Sequence, residues 1–133
     1  MKISSPEAML ELGIALAKDH KILLIQGDLG AGKTLLTKGF ARGLGIDDHL
    51  VQSPTYAYIN IYEKKLLHID MYRLESYEDV VQKGILAQMH EHDYIVIERP
   101  KFIDQLGLSS YTMIDIQKIS EEERELSLKE CTN

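Results

Sequence analysis

The segment GDLGAGKT at residues 27–34 directly follows the apolar run ILLIQ at residues 22–26. Glycines give the backbone conformations forbidden to residues with a Cβ, so successive N–H groups can turn inward around an anion. In a G-x-x-x-x-G-K-T pattern placed between a strand and a helix, Lys33 supplies a cation for β and γ phosphates, and the Thr34 hydroxyl supplies a ligand for Mg²⁺. The positive end of the following helix faces the same anion. The spacing and its position therefore predict a nucleotide-phosphate site.

The loop and the start of the next helix contain the predicted cofactor-binding residues for ATP and Mg²⁺. ATP is favoured over GTP because the chain has no N-K-x-D segment that would read guanine. The five histidines have no metal-ligand spacing, and we interpret them as structural or surface residues without a transition-metal site. The predicted nucleotide-binding set is Asp28, Leu29, Gly30, Ala31, Gly32, Lys33, Thr34 and Leu35.

Length and charge limit the classes of protein that the chain can belong to. Its 133 residues suffice for one domain, predicted to be a nucleotide-binding domain over residues 1–133. A net charge of −6 argues against tight stand-alone binding of nucleic acid, which needs clustered Lys and Arg. The apolar runs are too short for a membrane span, no signal peptide opens the chain, and Cys131 is the single cysteine. These features predict a cytoplasmic protein without a membrane partner.

The pattern of apolar residues predicts an α/β fold, with a three-layer P-loop domain and a mixed sheet. Helices are expected over residues 6–20 and 33–44 and from Ser76 to about Met89, with Val80, Val81, Gly84 and Ile85 on the buried face of the last. Residues 22–26 and 94–97 read as buried parallel strands at the centre of the sheet. Residues 56–62 and 66–70 should pair antiparallel, because only three residues join them. Residues 111–119 and 125–129 should form a hairpin around the solvated acidic turn at 121–123.

Three further side chains are candidates for catalysis. Asp70 and Glu98 each end an apolar strand, where a charged group is costly unless it meets a metal or a cation. An NTPase needs carboxylates there to hold Mg²⁺ and to orient water, but the sequence does not decide which acid does which. Thr55 lies in a Ser-Pro-Thr turn where a mobile threonine could sense the γ-phosphate. The structural alternatives are a capping or salt-bridged carboxylate for either acid, and a simple turn before a strand for the Ser-Pro-Thr segment.

Four motifs in order, GDLGAGKT, SPTY, HIDMYRL and IVIE-x-P, make the chain resemble the TsaE (YjeE) family of bacterial P-loop ATPases from about residue 6 to residue 128. The resemblance implies that Lys33 and Thr34 bind phosphate and Mg²⁺ and that Thr55 is the switch threonine. It also implies that Asp70 is a required active-site acid and that Glu98 is the Walker B-like carboxylate at the metal.

For function, the resemblance implies ATP hydrolysis together with the TsaD and TsaB proteins. These proteins install threonylcarbamoyl on the adenosine next to the anticodon of ANN-reading tRNAs, so tRNA would be met through the complex. The family usually reads E-W-P where this chain reads Glu98-Arg99-Pro100, and the chain has no tryptophan. We therefore expect Arg99 at the mouth of the site, contacting nucleotide, RNA or partner, with a solvated surface arginine as the alternative.

Two other functions compete with a partner-dependent ATPase. A small-molecule kinase of this fold needs an arginine-bearing lid and an acceptor pocket, and only Arg73 and Arg99 are expected near the site. A nucleotide-sensing module without catalysis would not require both acids. Without an obvious arginine finger, hydrolysis by the isolated chain is expected to be slow.

Overall fold

The computed structural model describes residues 1–28, 30–55 and 57–132. Leu29 of the predicted loop, Tyr56 of a predicted strand and Asn133 lie outside the described residues. The described residues build four α-helices and a seven-stranded sheet, together with short 3₁₀ turns at Asp48–Leu50 and Ile103–Gln105. The helices are α1 (Pro6–Asp19), α2 (Lys33–Gly43), α3 (Tyr77–Gln82) and α4 (Ile85–His90). The strands are β1 (Lys2–Ile3), β2 (Ile22–Gly27), β3 (Ile59–Tyr62), β4 (Leu66–Asp70), β5 (Tyr94–Glu98), β6 (Ser110–Lys118) and β7 (Arg124–Thr132).

The sheet is mixed, with its parallel strands at the centre. Its strand order is β1-β7-β6-β2-β5-β4-β3. Strand β2 runs parallel to β5 and β6, and β4 runs parallel to β5. The pairs β3–β4, β6–β7 and β1–β7 are antiparallel. This arrangement confirms the predicted fold class and both predicted antiparallel pairs.

Apolar side chains cover the two faces of the sheet and produce three layers. Phe40 and Leu36 of α2 pack with Leu23 and Val96 on one face. Met89 and Ile85 of α4 pack with Leu24 on the other. Since neighbouring residues of a strand face opposite sides, the continuous apolar runs of β2 and β5 are explained by burial on both sides.

A serine cap and a proline define the start of α1. Ser5 is the N-cap: its hydroxyl oxygen accepts a hydrogen bond from the N–H of Ala8, and Pro6 occupies the first helical position. Helix α2 begins at Lys33 and ends at Gly43, and Gly45 follows with a φ of +82°. The chain therefore turns away from α2 at this glycine.

The helix predicted after Ser76 is instead two short helices. Ser76 and Asp79 form a capping box at the start of α3. Gly84 then adopts a φ of +78° between α3 and α4, which a continuous α-helix does not allow. Val81 of α3 is 50% exposed, while its neighbour Val80 is buried, so the predicted place of Val81 on the buried face is wrong.

Candidate functional site

The predicted phosphate-binding loop leaves the end of the central strand β2 and leads into α2. Gly30 and Gly32 have φ values of +80° and +111°, a region that residues with a Cβ rarely adopt. The Nζ of Lys33 folds back and donates to the carbonyls of Gly27 and Asp28, at 2.6 and 2.8 Å. The loop therefore has the backbone conformation and the cation that the motif predicts.

A cavity of about 340 Å³ lies over this loop. It brings the loop together with the Ser-Pro-Thr turn and the end of β5. Five of the predicted nucleotide-binding residues line it, as do Thr55 and Glu98, whereas Ala31 is buried. The lining residues are Gly30, Gly32, Lys33, Thr34, Leu35, Ser53, Thr55, Glu98 and Arg99.

Asp70 and Glu98 are direct neighbours in the parallel pair β4–β5. Both side chains are almost fully buried. Their partners differ, however. Glu98 meets His68, with 2.5 Å between Oε2 and the ring Nε2, and the Nδ1 of that ring lies 2.9 Å from the hydroxyl of Tyr62. That hydroxyl in turn donates to the carbonyl of Gln52, so a buried chain of polar groups orients Glu98 from behind.

Asp70 is held by a cation and by the threonine of the turn. The guanidinium Nη2 of Arg99 donates to Asp70 Oδ2 at 2.5 Å and to Thr55 Oγ1 at 3.2 Å. Thr55 also donates to the same Asp70 oxygen at 3.0 Å. The other oxygen, Oδ1, accepts the N–H of Tyr72, whose ring lies 4.5 Å from the guanidinium carbon of Arg99. Arg99 is therefore at the mouth of the site as expected, not a solvated surface arginine.

The ammonium of Lys33 lies in a charged and mostly buried environment. Burial lowers the pKa of Lys33, because the charged form loses water. The negative charges of Glu98 and Asp70 oppose this effect, and the positive charge of Arg99 adds to it. Lys33 of the loop therefore interacts electrostatically with both acids and with Arg99.

The oxygen groups at this cavity fit a small hard cation. Thr34 and Glu98 both line it, and a hydroxyl and a carboxylate are the kinds of ligand that Mg²⁺ takes while it keeps several waters. Asp70 is not among the lining residues and is instead paired with Arg99. The arrangement can surround a polyphosphate with backbone amides, one lysine and one carboxylate of the kind that Mg²⁺ takes.

A family model described as "Threonylcarbamoyl adenosine biosynthesis protein TsaE" matches residues 3–126. The chain belongs to the TsaE family. It is 35% identical over 130 residues to the tRNA threonylcarbamoyladenosine biosynthesis protein TsaE of Bacillus subtilis, covering 96% of this chain and 80% of that protein. Identity to the protein of the same name from Treponema pallidum is 33% over 116 residues, covering 85% and 84%.

Among solved structures, the chain is similar to the crystal structure of Bacillus subtilis YdiB. The TM-score is 0.71 at 25% identity, with all of this chain and 84% of the other covered. The TsaE family and this likeness agree with the P-loop NTPase fold that the loop and the parallel central strands show. No helix in the described residues is long and apolar enough to cross a membrane.

Sequence reasoning missed the support behind Glu98. His68 was interpreted only as one of five structural or surface histidines, but it is fully buried and contacts the acid of the site. A signal was available: His68 lies two positions before Asp70 along β4, and side chains with that spacing share one face of a strand. For Tyr62, the sequence contains no comparable signal of its contact with His68.

Proposed function

We propose that this protein binds ATP with Mg²⁺ and hydrolyses it as a subunit required for threonylcarbamoyl modification of tRNA. Residues 1–133 would act as one nucleotide-binding domain in the cytoplasm. The TsaE family supports the pathway. The observation that carries the ATPase proposal is one cavity shared by the loop with Lys33, the carboxylate of Glu98 and the turn with Thr55.

The proposed roles follow the partners of each residue. The amides of residues 28–35 and the ammonium of Lys33 would hold the phosphates, and Thr34 and Glu98 would hold Mg²⁺, which neutralises charge on the phosphates. Glu98 is favoured over Asp70 at the metal because it lines the cavity, while Asp70 is bonded to Arg99 and Thr55. Asp70 and Thr55 would then position the attacking water and respond to the γ-phosphate.

Hydrolysis by the chain alone should be slow. Among the cavity-lining residues that the structure describes, Arg99 is the one arginine, and it is already bonded to Asp70 and Thr55. Transition-state charge on the phosphates would therefore need a further cation or a rearrangement. We propose that TsaD and TsaB provide one of these, and that tRNA is met through their complex.

The test is phosphate release from ATP by the protein alone and with TsaB, TsaD and tRNA. We expect slow release alone and at least a tenfold increase with the partners. Fast release by the isolated chain, or no effect of the partners, would contradict the proposal. Transfer of the phosphate to an added small-molecule acceptor would indicate a kinase instead.

A further inference from the structure

The guanidinium of Arg124 joins two segments that are far apart in the chain. Its Nε donates to the carbonyl of Ala31 at 2.9 Å, and its Nη2 donates to the carbonyl of Gly30 at 3.2 Å. Its Nη1 donates to the carbonyl of Ser120 at 2.8 Å, in the turn between β6 and β7. All three nitrogens thus donate to backbone oxygens, and the planar guanidinium group links the phosphate-binding loop to the β6–β7 turn.

A carbonyl fixed in this way also fixes the N–H of the same peptide group. The peptide is planar and trans, so its C=O and N–H point in opposite directions. When Arg124 holds the carbonyl of Ala31, the N–H of Gly32 must point away from Arg124. Gly32 lines the cavity over the loop, so this N–H is placed for an anion there.

The neighbouring peptide is held from both sides. This is the peptide group that joins Gly30 to Ala31. The carbonyl of Gly30 accepts from Arg124, and the N–H of Ala31 donates to the carbonyl of Asp28 at 3.0 Å. Gly30 and Gly32 both have positive φ, where glycine moves among conformations at little cost. Without an external partner, these peptide groups would rotate more freely, and the N–H of Gly32 would lose its direction toward the cavity.

We propose that Arg124 is a positioning residue that orients the amides of the phosphate-binding loop for the nucleotide. This inference rests on the proposed function, because it supposes that the loop binds phosphate. Arg124 itself bonds to carbonyls on the outer side of the loop and does not line the cavity. It increases affinity by preorganisation, since a loop that is already ordered loses less entropy on binding.

Arg124 also donates from Nη1 to the carbonyls of Glu121 and Glu123, at 3.3 and 3.1 Å, and the β6–β7 turn has backbone hydrogen bonds of its own. The N–H groups of Ile119 and Ser120 both donate to the carbonyl of Glu123, at 2.9 and 3.3 Å. Lys2 pairs with the carboxylate of Glu123 at 2.5 Å, on the same turn but without contact to the loop. Lys2→Met is therefore a matched control: it removes a cation from this turn and leaves the loop bonds in place.

The first measurement is calorimetric titration of Mg·ADP into the wild type and three variants. We expect Arg124→Met to weaken binding about tenfold, as loss of a charge-assisted hydrogen bond would. Arg124→Lys keeps the charge but loses the planar guanidinium group. Its affinity for Mg·ADP should lie between those of Arg124→Met and the wild type. Lys2→Met should bind as the wild type does. Equal affinity of Arg124→Met and the wild type, or an equal loss in Lys2→Met, would overturn the inference.

The second measurement needs no ligand and separates this inference from the proposed function. In ¹H–¹⁵N spectra, the Gly30 and Gly32 amide signals of Arg124→Met and Arg124→Lys should broaden or divide, while those of Lys2→Met stay sharp. Unchanged signals in both Arg124 variants would overturn the positioning role even if affinity fell. If the wild type binds no Mg·ADP, the proposed function is contradicted. The proposed role of Arg124 in phosphate binding is then contradicted as well.

Discussion

At the scale of single residues, two neighbouring acids have been given different environments. Glu98 is oriented by the ring of His68, whereas Asp70 is neutralised by Arg99 and bonded to Thr55. Both carboxylates are buried, and a buried charge is tolerated only when such partners are present. The sequence predicts the two acids but not this division, because it depends on which side chains from other elements reach them.

Replacing Glu98 should separate catalysis from binding. Glu98→Gln keeps the size of the side chain but removes the negative charge that we propose binds Mg²⁺. Phosphate release in the presence of the partners should fall about 100-fold or more, while the Kd for nucleotide changes less than about threefold. Glu130→Gln, at an exposed carboxylate bonded to His20, is the matched control and should have normal turnover. Equal losses of binding and turnover in Glu98→Gln would argue against its role.

Replacing Arg99 should affect both stability and turnover. In Arg99→Met, the buried carboxylate of Asp70 loses its cation, so the free energy of unfolding should drop by about 2 kcal/mol. Phosphate release with the partners should drop at least tenfold, since Thr55 and Asp70 would no longer share a donor. Arg42→Met removes an exposed guanidinium paired with Asp48, away from the cavity, and serves as the control. A variant with wild-type stability and turnover would show that Arg99 has no part in the site.

The buried ammonium of Lys33 predicts proton uptake when ATP binds. Burial lowers the pKa of this lysine, and a phosphate anion beside it would raise the pKa again. As the pH rises through the lowered pKa, a growing part of the lysine should therefore take up a proton on binding, and affinity should decrease. Calorimetry in two buffers of different ionisation enthalpy measures this uptake. Uptake that does not grow as the pH is raised toward the ordinary pKa of lysine would contradict the assignment.

At the scale of elements, the position of the loop depends on how closely α1 and α2 pack. A Cβ on Gly39 would lie 2.1 Å from the carbonyl oxygen of Leu10, and one on Gly13 would lie 2.4 Å from that of Leu36. These contacts are with backbone, which cannot move aside as a side chain can. The two glycines therefore let the helices approach, and α2 starts at the lysine of the loop.

Gly39→Ala should force the two helices apart. We expect the free energy of unfolding to fall by about 1–3 kcal/mol, as in other overpacked cores, and nucleotide affinity to fall with it. Denaturant unfolding measures the first effect. Glu11→Ala, on the exposed side of α1, is the control and should change stability by less than about 0.5 kcal/mol. Unchanged stability of Gly39→Ala would contradict the close approach of α1 and α2.

At the scale of the whole molecule, local patterns predicted elements better than their arrangement. The phosphate-binding loop, the central strands and the short connection before β4 are visible in the sequence because each depends on neighbouring residues. The strand order, with β2 between β5 and β6, depends on long-range pairing and could not be read from one chain. Strand β1 was also missed, since its two residues pair only with the distant β7. The break at Gly84 could have been anticipated, because glycine weakens a helix interior.

The central claim is that the loop amides and Lys33 bind the phosphates of a magnesium nucleotide. Calorimetric titration of Mg·ATP into the folded wild type and into Lys33→Ala tests it most directly, with Lys38→Ala as a matched lysine control on α2. We predict saturable heat for the wild type and Lys38→Ala, and at least a tenfold loss of affinity for Lys33→Ala. If the folded wild type gives no heat of binding, or Lys33→Ala binds as well as the wild type, the claim is contradicted.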